Sequence, residues 1–197
     1  FCHNASLVLP DSAPEEIDQR ELMSFLDKRR GLLDGVCVTG GEPLIHADID
    51  SFLAEIKARG YAVKLDTNGS FPDRLQRIMS EGLADYVAMD IKSSPRGYAS
   101  AAGMENLDFT AVAESVHILK SGDVPFEFRT TVVREIHDKS DFEEIGRWLA
   151  GEPYYLQGFV DSGTTLRDGL HACSKEEMLE LAEVVRPYIP SVSLRGL

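Results

Sequence analysis

The strongest constraint on this chain is an exchange between two hydrophobic periods that repeats along its length. Six short runs read as strands: "DGVCVT" (34–39), "YAVKLD" (61–66), "DYVAMD" (85–90), "FEFRTTVV" (126–133), "YYLQGFV" (154–160) and "SVSLR" (191–195). Between them the apolar spacing lengthens to the helical three and four. Asp18 is placed to cap a helix that closes at Gly31, with Glu21 able to reach back and Ile17 to staple onto Leu22. Ile49, Phe52, Leu53 and Ile56 share a helical face closed by Gly60, a further helix is expected over 73–81, and Val112, Val116 and Leu119 mark another. Ser140 with Glu143 and Ser174 with Glu177 have capping-box spacing. The first pair would open a helix carrying Phe142, Ile145 and Leu149; the second, one burying Met178, Leu181, Ala182 and Val185.

Alternating strand and helix gives a parallel sheet covered by helices. A closed barrel of eight such units takes about 250 residues; this chain has 197. The expected fold is therefore α/β, a partial, open TIM-like (β/α)6 barrel. A doubly wound flat sheet has the same periodicity, which does not separate the two. Neither a low-complexity tract nor a linker interrupts 1–197, which reads as one domain. Two loops are long, 93–106 and 161–172.

A net charge of −13 opposes wrapping a nucleic-acid backbone or lying on an anionic membrane. Three cysteines, Cys2, Cys37 and Cys173, make no disulfide framework and suit a reducing compartment. No stretch approaches the ~20 apolar residues of a membrane span. The expectation is a cytoplasmic protein with neither nucleic acid nor membrane as partner. Cys37, inside a strand, reads as a small core residue, and Cys173 as incidental; His46 and His171 read as loop or surface histidines.

Polar residues gather where strands end. "VCVT" runs into Thr39-Gly40-Gly41-Glu42-Pro43, "VKLD" into Asp66-Thr67-Asn68-Gly69, and "YVAM" into Asp90-Ile91-Lys92; "FEF" reaches Arg129 and "YYL" reaches Gln157. All lie at carboxyl ends of strands, where α/β folds assemble their sites. Turn chemistry accounts for Gly, Asn and Asp singly; it does not call for Lys92 or Arg129. Gly40 and Gly41 let backbone approach a ligand, and Glu42 either joins them or only charges the next helical turn. Asp66 could hold ribose hydroxyls or cap a turn. Lys92 could meet a ligand carboxylate or pair internally with Asp66 or Asp90.

At "FCHN", "TGGEP", "DTNG" and "MDIK", in this order and spacing, the chain resembles the radical S-adenosylmethionine enzymes. More closely, it is similar to the activating proteins of anaerobic ribonucleoside-triphosphate reductases, neighbours of the pyruvate formate-lyase activators. The similarity extends over "KRRGLLDGVCVTGGEP", "GYAVKLDTNGS", "GLADYVAMDIK", "RTTVV" and "YYLQGF". It implies a 4Fe–4S cluster and S-adenosylmethionine as cofactors, and reductive cleavage of the latter to raise a glycyl radical on the partner reductase. A low-potential electron donor such as flavodoxin or ferredoxin is implied as a further partner. Activation of another glycyl radical enzyme, such as a formate-lyase, and a cluster-free nucleotide-binding module are the rival readings.

In that family the cluster motif is Cys-x-x-x-Cys-x-aromatic-Cys. Phe1-Cys2 matches its last two positions, so the other two cysteines would lie upstream. The chain as numbered, a single domain lacking the start of its cluster segment, is expected to hold no stable cluster and to be inactive alone. By the same resemblance, Cys2 would be a cluster thiolate and Phe1 would lie near the adenine. Thr39, Gly40, Gly41 and Glu42 would line the methionine amino group and Asn68 would lie beside the cofactor, while Asn4 would either contact the cofactor or serve a turn. Asp66 would bind the ribose and Lys92 the methionine carboxylate, while Arg129 and Gln157 would finish the pocket. Close relatives also bind a monovalent cation, for which Asp66, Thr67 and Asp90 are the matching residues.

Overall fold

Each of the six runs forms a strand in the computed structural model, which describes residues 16–104, 107–160 and 169–197. The strands are β1 (Gly35–Val38), β2 (Ala62–Thr67), β3 (Tyr86–Asp90), β4 (Phe126–Val132), β5 (Tyr154–Gly158) and β6 (Ser193–Arg195). They make one six-stranded sheet in sequence order, β1-β2-β3-β4-β5-β6. β1 pairs with β2, β4 with β5, and β5 with β6, all parallel. The connecting helices are α1 (Gln19–Lys28), α2 (Ile49–Ala58), α3 (Pro72–Ser80), α4 (Tyr98–Ala102), α5 (Phe109–Ser121), α6 (Lys139–Trp148) and α7 (Lys175–Val185). Among the described residues no helix is long and apolar enough to cross a membrane.

Local chemistry explains most helix ends. Asp18 caps α1 by accepting the Arg20 N–H at 2.7 Å. The staple does not form: Ile17 is exposed, because the buried stripe of α1 runs through Met23 and Leu26 and leaves Leu22 at its margin. Ser174 and Glu177 make the expected capping box on α7. On α6 the box lies two residues earlier than expected: Asp138 accepts the Asp141 N–H at 3.0 Å, and Asp141 accepts the Asp138 N–H at 3.1 Å. Ser140 then lies inside the first turn, its hydroxyl bonded to Asp138 at 2.7 Å.

By packing, the chain divides into two compact units. Among the described residues, one holds 16–88 together with Ala111–Phe126; the other holds Met89–Thr110 and Glu127–Leu197. In the first, α2 packs on β2, and Leu53, Ile56, Leu65, Leu75, Ile78 and Leu119 are fully buried. In the second, α6 and α7 pack together and α7 lies against β5 and β6. Phe128, Val132, Leu156, Phe142, Ile145 and Val185 are fully buried there. Each such side chain contributes roughly 1.5–3 kcal/mol of hydrophobic stabilisation.

Register assigns the faces, since residues paired across parallel strands point the same way. In the second unit Arg129 pairs with Tyr155, Thr131 with Gln157, and Gln157 with Arg195. These residues and Glu127 share one polar face, and Phe128, Thr130, Val132, Tyr154 and Leu156 fill the other. In the first unit Cys37 pairs with Lys64, two residues from Asp66, while Val63 and Leu65 point into the core. Cys37 is therefore exposed rather than a core residue, a correction imposed by register. Two glycines permit close strand approach: a Cβ on Gly35 would lie 2.6 Å from the Ala62 carbonyl oxygen, and one on Gly158 would lie 2.2 Å from that of Gly196.

Candidate functional site

In the first unit the sequence bends sharply after β1. Gly40 has φ +152°, a conformation closed to side-chain-bearing residues. Glu42 then caps the short 3-10 helix Pro43–Ile45, its carboxylate accepting the Leu44 N–H at 3.1 Å. The same carboxylate accepts the Thr67 hydroxyl at 2.9 Å and the Asn68 N–H at 2.7 Å. Glu42 thus fastens the turn after β1 to the turn after β2. Thr67 is only 3% exposed, and its oxygen also accepts the Gly69 N–H at 3.1 Å. Asn68 closes an Asx turn onto Ser70 at 2.9 Å. Asp66, its side chain 14% exposed, takes the ammonium of Lys64. A cavity of about 290 Å³ opens beside this turn, lined by Thr39, Gly40, Gly41, Glu42, His46 and Phe52 among others.

In the second unit the end of β3 gathers charge. Asp90 accepts Arg129 Nε at 3.0 Å and a terminal guanidinium nitrogen at 2.8 Å. Its other oxygen lies 3.5 Å from the Lys92 ammonium. Lys92 thus pairs internally with Asp90. Gln157 projects from β5 on the face that carries Arg129.

Three successive carbonyls at this strand end are each held by a side chain. The Tyr98 hydroxyl donates to Asp90 O at 3.3 Å, the Thr130 hydroxyl to Ile91 O at 2.8 Å, and His137 Nε2 lies 2.8 Å from Lys92 O. His137 Nδ1 accepts the Val133 N–H at 3.0 Å, so the proton belongs on Nε2, which donates. Burial, the largest cause, pushes the His137 pKa down and keeps the ring neutral. Burial likewise pushes the Tyr98 phenol up, against a backbone bond from Lys92, so it stays a protonated donor. Behind Thr130, the buried Tyr154 hydroxyl donates to its oxygen at 2.7 Å.

Phe1, Cys2 and Asn4 lie outside the described residues. Thr39, Gly40, Gly41, Glu42, Asp66, Thr67 and Asn68 come together on the first unit; Asp90, Lys92, Arg129 and Gln157 lie on the second. Lys64, Tyr98, Thr130 and His137 were not singled out from sequence. Lys64 carries a signal, because it alternates with Asp66 on one strand face. His137 carries none: its partner lies 45 residues away. His46 and His171 are exposed, as expected. His171 contacts Glu135 at 2.7 Å, and the backbone bond from His171 holds that carboxyl below its ordinary range. Burial pushes the Cys173 thiol up, against ligand character.

Comparison with known proteins bears on the family and the fold. The family model described as the radical SAM superfamily matches residues 1–149. A Methanocaldococcus jannaschii protein that carries the name of a glycyl-radical enzyme activating enzyme is 27% identical, over 100% of this chain and 83% of its own length. A second protein of that organism with the same kind of name is 24% identical over 82% of this chain; the chain spans 63% of it. Among solved structures, a radical SAM methyltransferase from Sphaerobacter thermophilus superposes with a TM-score of 0.70 at 14% identity, covering 90% of this chain and 56% of its own. That likeness speaks for the fold, the partial TIM-like barrel of open parallel sheet. On the family match, which spans most of its length, the chain belongs to the radical SAM superfamily.

Proposed function

We propose that this protein is the activase of a glycyl radical enzyme, and that its target is an anaerobic ribonucleoside-triphosphate reductase. The observation that carries this reading is the likeness to the Methanocaldococcus activating-enzyme protein along the entire chain. The wording "KRRGLLDGVCVTGGEP" and "LQGF" favours the reductase over a formate-lyase.

Each unit carries groups suited to the polar end of S-adenosylmethionine, which offers an ammonium, a carboxylate and a vicinal diol. The turn at Thr39–Gly41 offers backbone carbonyls beside the Glu42 carboxylate for the ammonium. Lys92 offers a cation for the carboxylate, and Asp66 an acceptor for the diol. When bound, the cluster and S-adenosylmethionine together supply a one-electron cleavage that yields a carbon radical. Cys2, the proposed thiolate, and Phe1, proposed for the adenine, belong to the undescribed start. Among the described residues no three His, Cys, Asp or Glu side chains converge on a metal.

The chain's own work is binding and orientation. Exchanging Asp90 for a ligand carboxylate leaves Lys92 paired throughout, because Arg129 already neutralises Asp90. Arg129 and Gln157, on one sheet face, flank the approach of the target glycine loop or the adenine. Asp66, Asp90 and Thr67 remain the residues for a monovalent cation; the Thr67 hydroxyl donates to Glu42 and accepts the Gly69 N–H, which leaves it one lone pair. A low-potential flavodoxin or ferredoxin would supply the electron.

The test uses protein that carries a complete three-cysteine cluster motif, iron-loaded anaerobically and reduced. Mixed with the reductase and S-adenosylmethionine, it should raise a protein-centred radical by electron paramagnetic resonance, and none on a formate-lyase. Cofactor cleavage without a radical on the reductase discards the target. Absence of cleavage by cluster-loaded protein discards the enzyme in favour of a nucleotide-binding module.

A further inference from the structure

We propose that His137 is a positioning residue for S-adenosylmethionine: through its Nε2–H bond to the Lys92 carbonyl it aims the Lys92 ammonium at the methionine carboxylate. The inference rests on Lys92 serving as the carboxylate's partner, and goes beyond it by naming what holds Lys92 in place.

Lys92 lies two residues beyond the end of β3. Its carbonyl is held by His137 at 2.8 Å. His137 is itself rigid. Its ring is 7% exposed, packs 5.7 Å from the Phe142 ring, and is held through Nδ1 by the Val133 N–H at 3.0 Å. The turn that carries it is closed by two further backbone bonds, from Ile136 and His137 to the Val133 carbonyl, at 3.1 and 3.0 Å. The next residue, Asp138, caps α6. The ring thus links a helix start to the backbone of a ligand-facing lysine.

A purely structural histidine is the alternative, and the two ring nitrogens separate the readings. Nδ1 serves the local turn, whereas Nε2 reaches Lys92. Asparagine can reproduce the Nδ1 acceptor but falls short of Lys92. Glutamine can reproduce the Nε2 donor but leaves the Val133 N–H without its acceptor. Each variant loses one buried bond, so His137→Asn and His137→Gln should lose similar stability. Only the first should lose aim.

The experiment measures equilibrium binding to cluster-loaded, full-length protein under anaerobic conditions with two probes. S-adenosylhomocysteine carries the amino-acid carboxylate; 5′-methylthioadenosine lacks it. His137→Asn should weaken the first probe about tenfold relative to the second, a lost charge-assisted contact. His137→Gln should keep the parent ratio within about twofold while melting no higher than the asparagine variant. Equal probe ratios in the two variants would overturn the positioning role. Lys92→Met, run beside them, tests the underlying reading: an unchanged ratio there removes Lys92 as the carboxylate's partner. Loss in Lys92→Met with equal histidine variants leaves Lys92 in place and sinks His137 alone.

Discussion

Replacing Glu42 by alanine should destabilise the protein by about 3 kcal/mol, before any effect on ligand binding. The magnitude follows from three accepted bonds. Loss of the cap on Leu44 costs about 1 kcal/mol. The Asn68 N–H, at 2.7 Å from a carboxylate, and the Thr67 hydroxyl, 3% exposed, are then left without acceptors. A buried donor left unmade costs about 1–3 kcal/mol, and bonds to one carboxylate are not additive, so about 2 kcal/mol covers both. At this chain length each kcal/mol moves the melting temperature by about 2–4 °C, which gives a drop of roughly 6–12 °C. Glu42→Gln keeps one acceptor oxygen and should lose about half as much. Thr67→Val, placed in the Glu42→Ala background, removes one stranded hydroxyl and should show a coupling of about 1 kcal/mol in a double-mutant cycle. Thermal and urea unfolding of the ligand-free protein measure all of this. If Glu42→Ala melts within 2 °C of the parent, the carboxylate is not a clamp, and the argument from its three donors fails.

Two other changes test the second unit. Arg195→Leu takes the guanidinium away from Glu127, whose side chain is 4% exposed and which Arg195 holds at 2.7 and 2.8 Å. Because Arg195 is itself 41% exposed, the loss in urea unfolding should be about 2 kcal/mol rather than the 3–5 of a fully buried pair, and Glu127→Gln in the same background should recover part of it. The His137 pKa lies below its ordinary 6.5 in the folded state, so the unfolded chain binds the extra proton first. Its contribution is complete above pH 6.5 and fades as pH falls below that value, a slope in melting temperature just below pH 6.5 that His137→Gln should flatten. The carboxyls of Glu135 and Glu177, both held down by hydrogen bonds, titrate below 4.5 and leave that window clear.

The six strands were legible because a period of two, broken by Gly, Asp and Asn, survives without knowledge of partners. Their limits were less so. "YYLQGFV" was expected to reach Val160, yet β5 stops at Gly158 and Val160 is exposed. β4 stops at Val132, and Val133 is left to an isolated bridge with Ala172. An apolar run looks alike in a covered and an uncovered strand, which is why Cys37 read as core. The α6 cap moved because "HDKSDFEE" offers overlapping capping pairs, and spacing does not choose between Asp138 with Asp141 and Ser140 with Glu143. Site residues at strand ends were legible as types. Their partners were not, since Glu42 to Thr67 and Asn68, and Lys92 to His137, are contacts between distant segments.

The two faces of a parallel strand divide the labour, and the backbone joins them. On β4, Arg129 points to the polar face and meets Asp90, while Thr130 points to the helix-covered face and bonds the Ile91 carbonyl. Between these two side chains the Arg129 carbonyl accepts the Ile91 N–H at 2.7 Å. Tyr154, fully buried, supports Thr130 from β5. A rigid, dry set of hydroxyls behind the sheet therefore fixes the peptide planes from which Asp90 and Lys92 project. In the low dielectric of that layer such bonds are costly to break, and the groups they orient need not spend binding energy on ordering themselves. Charged residues that stand half-exposed at a strand end can then keep one geometry although solvent screens their mutual attraction. Their placement is a property of the core behind them more than of the ion pairs they make.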